Sequence, residues 1–187
     1  MNNSFPYLNE NQEERISVER IIAFERDDLH QLCQACEDAI ASGGGFGWVT
    51  PPGRDVLERY WQGLLLIEEN QLFVGRLDRE IVGSIQLRIM PPNQEARRHV
   101  GLIGSAFVAP WARGHGIART LAETAEKAAI KKGLKVLELD VRETQNAAIT
   151  AFEHLGFIRI GENPHYALVN STYVRGFYYK KYLGPEL

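Results

Sequence analysis

Residues 107–118 read FVAPWARGHGIA and predict a β-strand that runs through a glycine-containing turn into an α-helix. The first amides of a helix have no partner within the helix and lie at its positive end, so a diphosphate would meet directed donors there. Gly114 and Gly116 would let the backbone approach such an anion closely, and Arg113 would supply a fixed charge. This segment therefore predicts an anion site at the start of the helix.

Three phosphate-binding patterns compete for the hexamer that begins at Arg113. The nucleoside-triphosphatase loop is excluded because no Gly-Lys-Ser/Thr follows, and a dinucleotide fingerprint would need a small residue where Arg119 stands. The third pattern, R-x-x-G-x-A, is that of the GNAT superfamily of N-acetyltransferases, and the hexamer resembles it. The resemblance implies that six residues bind the diphosphate of acetyl-CoA: Arg113, Gly114, His115, Gly116, Ile117 and Ala118. The alternative is a helix start that holds two glycines by chance.

The strand before this turn is interrupted by the small residues Gly104, Ser105 and Ala106, a pattern that often marks a bulge or a close backbone approach. In the GNAT superfamily the corresponding strand splays from its neighbour, and the pantetheine arm of CoA lies in the gap. The resemblance implies that the backbone of Phe107 and Val108 binds that arm. A glycine tolerated in a buried strand is the alternative.

Residues 144–157 read TQNAAITAFEHLGF and resemble the second half of the GNAT acyl-CoA site. Alignment on the closing Gly-Phe places Gln145 at the family's Asn, Ala148 at the start of its Ala-Ile, and Phe152 at its Tyr. Gln145 keeps the carboxamide that can bind pantetheine. Phe152 has no hydroxyl, although the family's Tyr often protonates the departing thiolate. That role is then unfilled, or it falls to water or another side chain.

An acceptor amine must lose a proton, because an alkylammonium such as that of lysine has a pKa of about 10.4. Alternation along the predicted strand 134–142 places Glu138, Asp140 and Arg142 on one face. Asp140, near the strand's carboxyl end and beside the gap, is the first candidate base if burial or Glu138 makes it basic enough. Glu138 is a weaker candidate, and a salt bridge between Asp140 and Arg142 is the structural alternative.

The remaining sequence predicts a single domain of 187 residues. Strands are predicted at 15–24, 72–77, 80–89, 99–109, 134–142, 157–161 and 173–183, and helices at 27–41, 51–70, 117–132 and 145–155. Hairpins mixed with helical crossovers indicate an α/β (α+β) fold whose mixed, mostly antiparallel, splayed sheet has helices on both faces. Residues 15–70 would form the acceptor side, and residues 72–187 would form the acyl-CoA-binding core and the last strands.

Within the superfamily the chain resembles the tabtoxin-resistance acetyltransferase group in three segments, 42–48, 161–167 and 177–180. This resemblance implies a small amine or amino-acid-like acceptor. Phe46 and Trp48 would then shape the acceptor pocket, while other nearby aromatic side chains are better explained as core.

The composition excludes several other classes. A net charge of -3 gives no broad positive field, so we expect no nucleic acid partner. The longest uncharged apolar stretch, residues 100–112, is too short to cross a bilayer, and the N-terminus lacks a signal pattern. Cys33 and Cys36 lie in a helical stretch without a second ligand pair, which favours reduced thiols over redox or metal chemistry. We expect a cytoplasmic protein without membrane partner or metal.

Together these observations predict an N-acetyltransferase that moves the acetyl group of acetyl-CoA to a primary amine of a small molecule by direct attack. A non-catalytic acyl-CoA sensor is an alternative because of Phe152, and a nucleotide-binding protein that uses the same turn is another. A homodimer is compatible with the sequence.

Overall fold

The computed structural model describes residues 16–44 and 46–184. Its elements follow the predicted order. Their bounds are β1 Ile16–Ile21, α1 Asp28–Ala41, α2 Arg54–Leu65, β2 Asn70–Leu77, β3 Glu80–Ile89, β4 Val100–Val108, α3 Ile117–Lys131, β5 Val136–Arg142, α4 Asn146–His154, β6 Ile158–Val169 and β7 Thr172–Tyr182. Short 3-10 turns at Glu95–Arg97 and Pro110–Ala112 flank β4.

The seven strands form one open sheet in the order β1-β2-β3-β4-β5-β7-β6. Every neighbouring pair is antiparallel except β4 and β5, which are parallel. The prediction of a mixed, mostly antiparallel sheet is therefore confirmed. Parallel neighbouring strands need a crossover connection, and α3 provides the one that links β4 to β5.

Two apolar clusters cover opposite faces of the sheet. Leu72 and Val74 pack with α1 and α2, whereas Phe73 between them packs with α3 and α4. Successive residues of a strand point to opposite faces, so the helices lie on both sides of the sheet, as predicted. No helix among residues 16–44 and 46–184 is long and apolar enough to cross a membrane.

The start of α3 lies against the sheet at Gly75 of β2. A Cβ atom at Gly75 would come within 2.6 Å of the Cγ2 atom of Ile117, the first residue of α3. Ile117 is correspondingly buried. The absence of a side chain at Gly75 therefore sets how closely the helix approaches the strands.

The first elements differ from their predicted bounds. β1 ends at Ile21, before the predicted end at Phe24, and the predicted first residue, Arg15, lies outside the described residues. α2 begins at Arg54 because Gly53, with φ -58° and ψ 147°, still has extended backbone after the two prolines. α2 also ends at Leu65, earlier than predicted.

The last two strands form a longer hairpin than predicted. β6 extends to Val169 and joins β7 through Asn170 and Ser171, which both have positive φ, 49° and 62°. Pro164 argues against a strand at this place because it cannot donate a backbone hydrogen bond. β6 is the edge strand, however, and Pro164 lies in a bulge where three residues of β6 oppose one of β7, so the proline is tolerated.

Candidate active site

A gap opens between β4 and β5. The two strands pair only from Val100 to Leu102 of β4 and from Val136 to Glu138 of β5. Beyond these residues, β4 stays bonded to β3 and β5 stays bonded to β7. The predicted splay is therefore present, and the facing edges of the two strands are free to accept a ligand between them.

A bulge in β4 marks the point of divergence. Ser105 and Ala106 together oppose one residue of β3, and Ser105 has a φ of 46°. The Ser84 hydroxyl donates to the Ser105 carbonyl at 2.9 Å, and the Ser105 hydroxyl donates to Gln86 at 3.3 Å. Tyr60 of α2 completes this network, with its hydroxyl 2.8 Å from that of Ser105. Buried hydrogen bonds thus fix the irregular backbone.

The turn before α3 has the backbone that its sequence predicts. Gly114 and Gly116 have φ values of 89° and 82°, which favour glycine, and a Cβ at either residue would meet no atom within 4 Å. Among the described residues, no side chain caps the N-terminus of α3. The helix start therefore combines unsatisfied amides with open space on the glycine side, which fits a phosphate.

The Arg113 side chain turns back from this turn towards α1. Its Nε donates to the carbonyl of Val108 at 3.3 Å, and one terminal nitrogen donates to the Ser42 hydroxyl at 3.2 Å. Gln145 contacts the same loop from α4, because its carboxamide donates to the carbonyl of Gly43 at 2.6 Å. The loop after α1 is thus held from two sides.

A cavity of about 310 Å³ lies beneath this loop and between α3 and α4; we call it the helix-side cavity. It reaches the splayed edge of β4. Seven of the predicted cofactor residues line it: Phe107, Val108, Arg113, Ala118, Gln145, Ala148 and Phe152. Gly114, His115 and Gly116 lie in the turn rather than in the cavity wall, and Ile117 is packed in the core.

A second cavity, of about 440 Å³, lies beyond the gap; we call it the β6-side cavity. Its wall contains Phe46, Asp140 and Tyr166. Four residues line both cavities: Ala106, Gln145, Ala148 and Phe152. The two cavities therefore adjoin across these four residues, and we call the space that they occupy together the passage.

The predicted acceptor aromatics occupy different places. Phe46 lies in the wall of the β6-side cavity and contacts Trp48, Tyr60, Trp61 and Phe107, with ring centroids 5.6 to 5.9 Å apart. Trp48 packs behind it, edge-on to Tyr60 at 5.0 Å, and borders a neighbouring cavity instead. Only Phe46 of this pair faces the passage.

The two predicted carboxylates have separate partners. The predicted alternation of β5 is confirmed, because Leu137, Leu139 and Val141 are buried on the opposite face. Glu138 forms an ion pair with Arg97 at 2.5 Å. Asp140 is exposed, so the structure does not provide the burial that its predicted role as a base invoked; its carboxylate accepts a hydrogen bond from Tyr166.

Tyr166 is a site residue that the sequence did not reveal. Burial raises its pKa, and the hydrogen bond to Asp140 raises that pKa further. Its hydroxyl is therefore protonated at neutral pH and serves as a donor. It lies in the segment 161–167 that was noted for a family resemblance, but the strand predicted at 157–161 ends before it, and the sequence assigned it no role.

The chain is similar to known acetyltransferases. The model of the acetyltransferase (GNAT) family matches residues 14–157. An uncharacterized N-acetyltransferase from the hisH-hisA intergenic region of Azospirillum brasilense is 53% identical over 130 residues, which cover 70% of this chain and 77% of that protein.

Solved structures share the fold. An N-acetyltransferase of Staphylococcus aureus Mu50 superposes with a TM-score of 0.77 at 18% identity, covering 91% of this chain and 99% of that one. For yncA of Salmonella typhimurium, whose structure contains its cofactor acetyl-CoA, the TM-score is 0.74 at 13% identity, with 91% and 95% covered.

Proposed function

The chain belongs to the acetyltransferase (GNAT) family and is an N-acetyltransferase that uses acetyl-CoA, and we propose that its acceptor is the primary amine of a small or amino-acid-like molecule. In this proposal the amine attacks the thioester directly. The observation that carries it is the gap between β4 and β5, where a cavity beside the helix start adjoins a cavity beside a carboxylate.

The cofactor residues have complementary tasks in this proposal. Amides from Arg113 to Ala118 would bind the diphosphate, as the glycine backbone and the uncapped helix start support. The pantetheine arm would then follow the edge of β4 at Phe107 and Val108, where β3 pairs on one side and β5 no longer pairs on the other. Gln145 would exchange its bond with Gly43 for one with the arm, because both partners are amide groups.

The β6-side cavity supports a small acceptor. Its volume of about 440 Å³ is near the lower end of the range for small-molecule sites. Phe46 would provide an apolar wall and Asp140 would attract the amine as an ammonium group. Asp140 would also accept the proton of the attacking nitrogen.

The test is an amine panel with two readouts. Release of free CoA thiol from acetyl-CoA should depend on one or a few amines, with mass spectrometry identifying the acetylated product. Calorimetry should show binding of CoA in preference to ATP and NAD. Preference for either nucleotide would contradict the assignment of the turn.

The same assay separates the alternatives. A non-catalytic acyl-CoA sensor, suggested by Phe152, would bind acetyl-CoA without releasing thiol with any amine. Acetylation of folded proteins but of no small amine would contradict the acceptor class. A specific relationship to the tabtoxin-resistance group rests on short sequence segments, and turnover of amino-acid-like amines in the panel would support it.

A further inference from the structure

The thiolate that leaves acetyl-CoA needs a proton, and Phe152 cannot supply it. Phe152 is buried edge-on against Phe157, with ring centroids 5.4 Å apart, and it borders both cavities. Among the described residues of the β6-side cavity wall, hydroxyl groups come from Ser105 and Tyr166. Ser105 is already engaged with Gln86 and Tyr60 in the bulge network. Tyr166 is left as the hydroxyl that faces this cavity.

The Tyr166 ring is held by a bulge in β6 and by packing against β7. The bulge between Asn163 and Ala167 of β6 places Tyr166 outside the regular ladder, and the Asn163 side chain accepts a hydrogen bond from the amide of His165 at 2.9 Å. The ring lies directly over Gly176 of β7, where a Cβ atom would overlap with it. This packing fixes the ring in the wall of the β6-side cavity.

The hydroxyl of Tyr166 is hydrogen-bonded to the candidate base, Asp140. Tyr166 donates to the carboxylate of Asp140, and the other titratable or charged groups that face it are Arg142 of β5 and Tyr178 of β7. Tyr166 and Asp140 therefore form a hydrogen-bonded pair in which a proton can pass from one oxygen to the other.

We propose that Tyr166 protonates the departing CoA thiolate, while Asp140 receives the proton of the attacking amine. This inference rests on the proposed function. The ammonium group first releases one proton to water; the lone pair of the neutral amine then forms the C–N bond, and the proton that this nitrogen carries in excess moves to Asp140. The C–S bond breaks with its electron pair on sulfur, which takes the Tyr166 proton. The proton on Asp140 then returns to the Tyr166 oxygen, so both side chains end as they began.

The pair explains how a weakly acidic hydroxyl can act as a donor. A tyrosine whose pKa lies above the usual value of about 10 is a weaker acid than a thiol, whose value is about 8.5, so transfer from Tyr166 alone would be unfavourable. A protonated carboxyl group is a far stronger acid than a thiol. When Asp140 is protonated, Tyr166 can therefore give its proton to the thiolate, because the carboxyl group of Asp140 supplies a new proton to the tyrosine oxygen.

The experiment compares Tyr166→Phe with Tyr173→Phe, which removes the hydroxyl of an exposed tyrosine on β7 outside the cavity wall. With the best amine of the panel, Tyr166→Phe should lower kcat by about 100-fold and leave the acetyl-CoA Kd within twofold. The control should retain the wild-type kcat. A kcat of Tyr166→Phe within threefold of wild type would overturn the proposal.

A spectroscopic measurement needs no acceptor. Ultraviolet titration of bound CoA should show a higher thiol pKa in Tyr166→Phe than in the wild type, because the hydroxyl that stabilises the thiolate is gone. An unchanged thiol pKa would overturn the proposal even if kcat fell, since a purely structural role would alter kcat alone.

The kcat of a double variant tests whether Asp140 and Tyr166 act on the same proton path. Asp140→Asn and Tyr166→Phe combined should be no slower than the slower single variant, because each interrupts the same proton path. Multiplicative losses would instead indicate independent roles and contradict the relay. If the wild type releases no thiol with any amine, the proposed function fails; if the wild type is active and Tyr166→Phe equally so, only the relay fails.

Discussion

The turn before α3 and the pocket around Asp140 differ in how far apart in sequence their residues lie. The turn comes from one uninterrupted segment, Arg113 to Ala118, whose glycines define its backbone. The pocket combines Phe46, Asp140 and Tyr166, which come from the α1–α2 loop, β5 and β6. The local sequence thus encodes the proposed cofactor side, whereas the strand order of the sheet assembles the proposed acceptor side.

The largest expected effect falls on the turn. Gly116→Glu should abolish acetyl-CoA binding, because it puts an anion and a strained φ of 82° where the diphosphate would lie. Gly133→Glu is the matched control: Gly133, just beyond the other end of α3, has a φ of 79° and equally open surroundings. Calorimetry should detect binding only in the control. Undiminished binding by Gly116→Glu would remove the turn from the site.

The next largest effect is expected when a hydroxyl group at position 152 replaces the one at Tyr166 as proton donor to the thiolate. Adding Phe152→Tyr to Tyr166→Phe restores a hydroxyl at the boundary of the two cavities, where Phe152 lies. We expect the double variant to recover about tenfold of the lost kcat in the thiol-release assay, a part of the effect of one positioned acid. Recovery should be confined to kcat. No recovery would indicate that Tyr166 does not fill the role of a thiolate acid.

A smaller effect concerns the bond that joins the regions. Gln145→Ala removes the hydrogen bond to Gly43 and the proposed contact with pantetheine. One such hydrogen bond corresponds to about a fivefold change in affinity, so the KM for acetyl-CoA should rise by that amount with little change in kcat. Gln34→Ala, which removes exposed side-chain hydrogen bonds with Asp38 and Arg54 outside the walls of both cavities, serves as control.

The smallest effect on activity is expected at the C-x-x-C pair of α1, which lies outside the walls of both cavities. Burial raises the pKa of the Cys33 and Cys36 thiols to about 12. They should therefore stay unreactive towards an aromatic disulfide reagent at pH 8 until urea unfolds the chain. Rapid labelling of the folded protein would restore the redox interpretation.

The same shift has a consequence for stability. In the unfolded chain a thiol ionises near pH 8.5, well below its folded value, so these thiols contribute stability below about pH 8.5 that is lost progressively as the pH rises towards 12. The free energy of unfolding of Cys33→Ala/Cys36→Ala, measured with urea, should accordingly fall less steeply with alkaline pH than that of the wild type.

The sequence predicted those features that depend on neighbours in the chain. Glycines fixed the turn, small residues marked the β4 bulge, and alternation separated Asp140 from the buried face of β5. The mixed sheet, the splay and both helix layers followed from the family resemblance and the order of the elements, whereas the order of the strands in the sheet was not predicted.

Contacts across the fold could not be predicted in this way. Gln145 meets Gly43 across 102 positions of the chain, and Tyr166 meets Asp140 across 26. Each contact depends on a loop or bulge whose position follows from packing rather than from local pattern. Pro164 obscured β6, because a proline argues against a strand unless the strand lies at an edge and bulges there.

The bare backbone of Gly176 beneath the Tyr166 ring has an evolutionary consequence. Any larger residue at position 176 would displace the Tyr166 ring, so we expect the glycine and the tyrosine to be conserved together. Relatives that retain a glycine at this place in β7 should carry the β6 tyrosine, while those that carry a tyrosine on α4 in place of Phe152 should be free to vary both.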